Sequence, residues 1–251
     1  MINYLEHHIV DHCNLNCAGC SHFSPLAQQW FEDIEDFKRD FTQLAEITNK
    51  QVGTIRLMGG EPLLHPQVLD FLIITRQLFP YSQIQIVSNG ILIPSMKQEL
   101  LKVCNENNIL ICVSNYGLNM DLRQVLNGFN KTRIDWKNQM YNISLDTTGT
   151  QDPARAFNGC DLHVNHWYYF QNGCFYPCCI CANIDYFNQY FNLNLECKNE
   201  YISIYNHTED EIKQFLNQPI TLCKYCNTAL RNRSYSNFHV SKKDIKEWTY
   251  Q

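Results

Sequence analysis

The residues best suited to chemistry stand near the amino end. Cys13, Cys17 and Cys20 are spaced C-x3-C-x2-C just after the apolar pair Ile9-Val10. Thiolates are soft ligands, and clustered cysteines of a reducing compartment are more often metal ligands than disulfide partners. Three thiolates on one short loop can hold three irons of a [4Fe–4S] cube and leave the fourth iron open to a small molecule. A structural zinc site would instead close its tetrahedron with a fourth ligand. Further along, Met58-Gly59-Gly60-Glu61-Pro62 sets a carboxylate behind two glycines. The glycines allow close backbone approach to a ligand, and Glu61 can accept from an ammonium group. Ser88-Asn89-Gly90 and Ser114-Asn115 each follow an apolar run, where such residues also end strands for backbone reasons.

A second set of thiols lies late in the chain: Cys160, Cys178 and the pair in Cys223-Lys224-Tyr225-Cys226. The compact C-x2-C suits one face of a metal or cluster. Asn172 to Cys178 reads as a β-hairpin that delivers Cys178 at its end. Cys174, Cys179, Cys181 and Cys197 crowd the same stretch. Any of them could replace Cys178 or Cys160, and one could act as a hydrogen-atom donor. Four-thiolate sites also take zinc readily. Cys104 and Cys112 fall in helix and strand patterns and read as small core residues. His7 and His8 alternate near the end of the first strand, so one imidazole faces the interior. There His8 could touch substrate or serve as a hydrogen-bonded core group.

The elements that must position these residues alternate. Short apolar runs at Tyr4 to Val10, Thr54 to Leu57, Gln83 to Val87, Ile109 to Val113, Ile134 to Trp136 and Tyr141 to Leu145 read as strands. Between them lie helical patterns: one capped by Asp33 with Ile34, Phe37, Phe41, Leu44 and Ala45 on one face, then Gln67 to Phe79, Ser95 to Asn107 and Asp121 to Phe129. Such alternation predicts βα units and a parallel sheet. The units are too few for eight strands, so the fold class is α/β, a partial (β/α)6 TIM-like barrel. Asp146 to Pro153 is the linker candidate. A first domain over 1–150 would then be followed by a small subdomain over 151–251, with helices from Thr208 to Leu216 and from Ser241, where Asp244 is placed for a capping box. In parallel α/β folds ligands gather at the carboxyl ends of strands.

Composition bounds the rest. Across 251 residues, 45% are hydrophobic and 18% charged, which is a globular balance with room for one sizeable core. The net charge of −5 and the absence of a lysine–arginine block argue against a nucleic-acid surface. No signal peptide and no bilayer-spanning run is evident, so thirteen cysteines are expected as reduced thiols in the cytoplasm, away from any membrane.

The C-x3-C-x2-C loop after a first strand, followed one βα unit later by Gly59-Gly60-Glu61-Pro62, resembles the radical S-adenosylmethionine (SAM) enzymes. The resemblance implies that Cys13, Cys17 and Cys20 hold a [4Fe–4S] cluster whose open iron chelates SAM. Reductive cleavage of SAM then gives a 5′-deoxyadenosyl radical that abstracts hydrogen from a substrate C–H. It further implies that Gly59, Gly60, Glu61 and Pro62 hold the amino group of SAM, with Ser88, Asn89, Ser114 and Asn115 as further contacts. Gly19 stands where the family usually has an aromatic residue, and His22 and Phe23 follow closely enough to replace it.

The intervals of Cys160, Cys178, Cys223 and Cys226 resemble the SPASM-like "twitch" auxiliary-cluster subdomain of radical SAM amino-cyclitol dehydrogenases. That likeness implies a second [4Fe–4S] cluster, a small sugar or cyclitol substrate whose secondary alcohol is oxidised, and an electron donor such as flavodoxin or ferredoxin. The catalytic side chain is not identified; His8, Cys174, Cys179 and Cys181 are the candidates. An epimerase would use the same first step and a thiol donor. A peptide-modifying enzyme usually carries a further domain before the barrel; with a strand expected to start near Tyr4, a peptide substrate would have to be captured by a partner. Outside the enzymes stand a zinc-ribbon binding module, disfavoured by the acidic balance, and a ferredoxin-like carrier, which needs neither the Gly-Gly-Glu-Pro turn nor a barrel.

Overall fold

The computed structural model describes residues 1–137, 140–197, 200–231 and 235–250. It divides into two compact units, Met1–Leu15 with Gln29–Asn138, and Asn16–Gln28 with Gln139–Gln251.

The first unit follows the alternation read from the sequence. Its elements are β1 (Ile2–Val10), α1 (Ile34–Ile47), β2 (Val52–Gly59), α2 (Val68–Leu78), β3 (Gln83–Ser88), α3 (Lys97–Glu106), β4 (Leu110–Asn115), α4 (Leu122–Leu126) and β5 (Thr132–Trp136). The strands pair in parallel in the order β5-β4-β3-β2-β1. Strands buried on both faces need apolar residues at nearly every position, and Leu5, Ile55, Ile84, Ile86 and Ile111 are each fully buried. Asp33 starts α1 by accepting from the backbone N–H of Glu35 and Asp36, and the helix buries Phe37, Phe41, Leu44 and Ala45 at helical spacing. His7 points to that side, packed against the stacked rings of Phe37 and Phe41. His8, paired in register with Met58, takes the opposite face.

The strand expected over Tyr141 to Leu145 is cut short to β6 (Met140–Tyr141). Ser144 adopts a left-handed backbone at φ 52, and its N–H is captured by Asn142 Oδ1 at 2.8 Å. A local side-chain bond of this kind competes with a strand ladder. Asp146 to Pro153, expected as a linker, is a tied turn in the second unit. The buried Asp146 carboxylate accepts from Thr148, Thr150 and Gln151 side chains at 2.5–2.8 Å.

The second unit carries α5 (Pro153–Asn158), α6 (Asp161–Val164), β7 (Tyr168–Gln171), β8 (Cys174–Tyr176), α7 (Cys179–Phe191), β9 (Ile202–Ser203), α8 (Glu209–Leu216), α9 (Thr228–Arg231) and β10 (Tyr235–Ser236). β7 and β8 form a hairpin that begins before the expected stretch Asn172 to Cys178, with Asn172 at φ 51 and Gly173 at φ 65 as its turn, the left-handed pair a two-residue turn requires. β9 extends it antiparallel, and β10 pairs antiparallel with β6. The core gathers Phe23, Leu145, Ile180, Phe187, Tyr225 and Trp248. Thr208 and Glu211 make a reciprocal capping box at α8. A helix from Ser241 does not form, because Lys243 is left-handed at φ 57; only the turn Ile245–Glu247, capped by Asp244, is helical. One disulfide, Cys181–Cys197, corrects the expectation that all cysteines are reduced. Among the described residues no helix is long and apolar enough to cross a membrane.

Candidate active site

In the first unit the predicted residues converge where the parallel strands end. β1 runs out at Val10 toward Cys13, β2 at Gly59, β3 at Ser88 and β4 at Asn115. The glycine pair is required by the chain itself. A Cβ at Gly59 would lie 1.9 Å from the Val10 carbonyl oxygen, and one at Gly60 would lie 2.1 Å from that of His12. The backbones are tied there by Gly60 N–H to Val10 O at 2.7 Å and Glu61 N–H to His12 O at 3.1 Å. Close approach to the chain's own backbone at Val10 and His12 is enough to require glycine at both positions.

Glu61 is completely buried, and three donors converge on its carboxylate. Ser88 Oγ donates to Oε1 at 2.8 Å, Leu63 N–H to Oε1 at 3.1 Å, and Asn89 N–H to Oε2 at 2.8 Å. Burial outweighs these bonds and pushes its pKa from 4.5 up to about 7. The Asn89 amide continues the network. Its Nδ2 donates to Asn14 Oδ1 at 2.7 Å and lies 3.8 Å from Cys13 Sγ. A hydrogen-bonded path thus runs from the carboxylate at the end of β2 to the first cysteine. Ser114 and Asn115 are buried at the end of β4, where Asn115 Oδ1 accepts from Gly117 N–H at 2.9 Å. His8 is buried with Nδ1 2.9 Å from Asp11 Oδ1, which orients its ring.

Cys17 and Cys20 belong to the second unit. Their loop is held by the carboxyl-terminal segment, a support absent from the sequence expectations. Cys17 bridges Val240, Ala18 N–H donates to His239 O at 3.0 Å, and Ser241 N–H donates to Asn16 O at 2.8 Å. Trp248 Nε1 donates to the Cys20 carbonyl at 2.9 Å. Burial pushes the Cys20 thiol up, but hydrogen bonding and charge from His22, with the Ser24 and His22 backbone N–H groups, bring it down to about 7. His22 is thus engaged with Cys20. Phe23 is fully buried against Phe187 and Trp248, which removes it as a replacement aromatic contact for a ligand.

Cys160, Cys178, Cys223 and Cys226 line one cavity, together with Pro177, Ile180, Thr228 and Arg231. Cys178 is set at the end of the hairpin as the cap of α7, where its sulfur accepts from Cys181 N–H at 3.5 Å. Burial raises the thiols of Cys178, Cys223 (to about 12) and Cys226, and the neighbouring cysteines raise each further. A metal centre would relieve such crowding of buried thiols, because a metal deprotonates coordinating thiols outright. Of the other cysteines, Cys181 is tied to Cys197, so it offers no free thiol. Cys174 and Cys179 are not part of that disulfide and lie on β8 and in the first turn of α7.

The profile of the Radical SAM superfamily matches residues 8–142, more than half of the chain. The chain belongs to the radical SAM superfamily. This radical SAM protein is 30% identical over 103 residues to the GTP 3′,8-cyclase of Clostridium acetobutylicum, covering 40% of this chain and 31% of that one. It is 29% identical over 99 residues to the GTP 3′,8-cyclase of Geobacter sulfurreducens, covering 39% and 30%. The match therefore spans less than a third of these relatives' length. Among solved structures, BtrN in complex with AdoMet and 2-DOIA superimposes with a TM-score of 0.59 at 19% identity, covering 90% of this chain and 93% of that one. BtrN in an open conformation gives 0.55 at 18% identity, over 90% and 92%. This radical SAM chain thus shares the BtrN fold, a partial barrel with a cysteine-rich carboxyl-terminal part.

A radical SAM enzyme carries a [4Fe–4S] cluster and binds SAM, and two features of this chain fit those groups. Glu61 is a buried carboxylate with backbone and hydroxyl donors and, among the described residues, no cation, which suits an incoming ammonium. The cysteine of the first unit is bridged to it through Asn14 and Asn89. Neither Trp248 nor Arg231 carried a signal in the sequence beyond a cluster of polar and aromatic residues near the carboxyl end.

Proposed function

We propose that this radical SAM enzyme oxidises a secondary alcohol of a small sugar or cyclitol to a ketone, with a second [4Fe–4S] cluster in the carboxyl-terminal unit. The observation that carries this reading is the convergence of Cys160, Cys178, Cys223 and Cys226 on one cavity. Four thiolates can ligate every iron of a cube and leave no position open to substrate, which suits electron transfer. In this reading Cys13, Cys17 and Cys20 hold the first cluster. Gly59, Gly60, Glu61, Pro62, Ser88, Asn89, Ser114 and Asn115 form the SAM site. When bound, the first cluster with SAM supplies a hydrogen-abstracting 5′-deoxyadenosyl radical, and the second supplies a one-electron acceptor.

The chain's own residues do the rest. Glu61 receives the ammonium of SAM, and Ser88 and Asn89 keep its carboxylate in place. Oxidation of an alcohol removes one hydrogen atom from carbon, one proton from oxygen and one electron. The proton needs an acceptor, and His8, oriented by Asp11 at the end of β1, is the base assigned to it. The shared fold with BtrN, crystallised with AdoMet and 2-DOIA, supports a small molecule as substrate. An external donor such as flavodoxin or ferredoxin supplies the electron that starts each turnover.

A second reading rests on Cys174 and Cys179, two cysteines outside the disulfide. A thiol that returns hydrogen to carbon would make the enzyme an epimerase. Product analysis in deuterated water separates the two. A carbonyl product without solvent deuterium at carbon supports oxidation, and one deuterium at an inverted carbon refutes it. Metal analysis after anaerobic purification tests the shared premise. About eight irons per chain are expected for two cubes, and zinc in the carboxyl-terminal site would remove the electron acceptor.

A further inference from the structure

Arg231 ends the short helix α9, five positions after Cys226. Only 5% of it is exposed. Its Nε donates to the Ile143 carbonyl at 3.1 Å, and its Nη1 donates to Cys160 Sγ at 3.5 Å. The guanidinium also bonds the Cys226 sulfur, and Cys226, Cys160 and Cys178 are the groups whose ionisation would act on it. Nη2 is buried without a hydrogen-bond partner, in a side chain that lines the same cavity as the four cysteines. Among the described residues, then, this cation has one carbonyl and a ring of sulfurs for company.

A guanidinium stays charged at any accessible pH, and a buried charge without a counter-charge is strongly destabilising. Neutral thiols do not supply that counter-charge; ligating thiolates do. A cube held by four thiolates carries net negative charge, and reduction makes it more negative. A fixed cation against its ligating sulfurs therefore favours the reduced state. Net charge, hydrogen bonds to sulfur and burial are the factors that set such potentials.

We propose that Arg231 is the residue that raises the reduction potential of a cluster held by Cys160, Cys178, Cys223 and Cys226, and so makes that cluster an electron acceptor. The inference rests on the reading of this cavity as an auxiliary iron–sulfur site. Arg231 touches ligands and not the substrate, so it is a positioning and tuning residue.

The test uses the full chain, reconstituted anaerobically. The substitutions Cys13→Ala, Cys17→Ala and Cys20→Ala leave only the second cluster visible. Its potential is then read by redox titration followed by electron paramagnetic resonance, with Arg231, Arg231→Lys and Arg231→Gln compared. Removing the charge in Arg231→Gln should lower the reduced-to-oxidised ratio at fixed potential at least tenfold, about 59 mV for one electron. Arg231→Lys keeps the charge and should shift less. Loss of iron from Arg231→Gln with retention in Arg231→Lys also supports the role of charge. An unmoved potential in both variants, or loss of iron from both, overturns it. Iron and zinc content separate this from the reading beneath it: a parent protein without iron in the second site fails the auxiliary-cluster reading, whereas intact iron with an unmoved potential fails only Arg231.

Discussion

Replacing Glu61 with glutamine should remove a pH-dependent loss of stability and weaken the hold on SAM. Glutamine imitates the protonated carboxyl, with one acceptor oxygen and no charge. In the wild type the burial of Glu61 raises its pKa from 4.5 to about 7. At about 1.4 kcal/mol per unit, that shift corresponds to about 3 kcal/mol. The sign follows from proton binding. Between pH 4.5 and about 7 the folded chain keeps a proton that the unfolded chain has released, so stability falls as pH rises through this window. Below it both states are protonated, and above it the loss is complete. Relative to Glu61→Gln, the wild type should therefore lose up to about 3 kcal/mol between pH 4.5 and 8. Denaturant titrations of the cluster-free proteins at several pH values measure this difference. A difference that stays constant across the window would refute the argument.

Ligand binding should move the other way. An ammonium that docks on Glu61 must find it ionised, so the wild-type Kd for SAM should fall about tenfold per pH unit up to about pH 7, then level off. The variant should show no such break from this group. Loss of a charge-assisted hydrogen bond, about 1.5–3 kcal/mol, should weaken its binding by roughly 10- to 150-fold. Calorimetry on the reconstituted protein reads both effects. Equal affinity in the two proteins at pH 8 would remove Glu61 from the SAM site.

Other substitutions test other parts. Alanine at Cys13, Cys17 or Cys20 should abolish formation of 5′-deoxyadenosine, whereas alanine at Cys223 or Cys226 should spare part of that cleavage and block product; equal effects at both sets would contradict the assigned division. Trp248→Ala should cost about 3–5 kcal/mol by emptying a core position, and Trp248→Phe about 1 kcal/mol by leaving the Cys20 carbonyl unbonded, both read from denaturation midpoints; a Trp248→Phe protein with unchanged stability would show that this bond does not hold the loop. The Cys181–Cys197 bond closes a separation of 16 residues, so reduction, or Cys197→Ser, should cost about 3 kcal/mol; identical unfolding with and without reductant would show that the bond does not form in solution.

What the sequence made legible was chiefly local. The Asp33 cap and the Phe37-Phe41-Leu44 stripe each specify their element through neighbours a few residues away, and both formed as expected. The five parallel strands were equally readable, because strands buried on both faces leave continuous apolar runs. Where the reading failed, a single residue overruled the pattern. Left-handed Ser144 ended a strand whose hydrophobicity favoured extension, and left-handed Lys243 prevented a helix that Asp244 was placed to cap. The site was legible to the extent that thiols and carboxylates announce themselves by type. Their supports were not, since they act across long separations in sequence. Trp248 bonds Cys20, 228 positions away, and Arg231 bonds Cys160, 71 positions away, and neither spacing leaves a periodic mark. Gly59 and Gly60 show a requirement the type alone did not locate. Their type was read correctly as a need for close approach, but the partner is the chain's own backbone at Val10 and His12. The glycines set the turn that delivers Glu61, and Glu61 in turn meets the donors of β3. The motif is therefore selected first by the packing of strand ends, and the carboxylate it presents to a ligand follows from that packing.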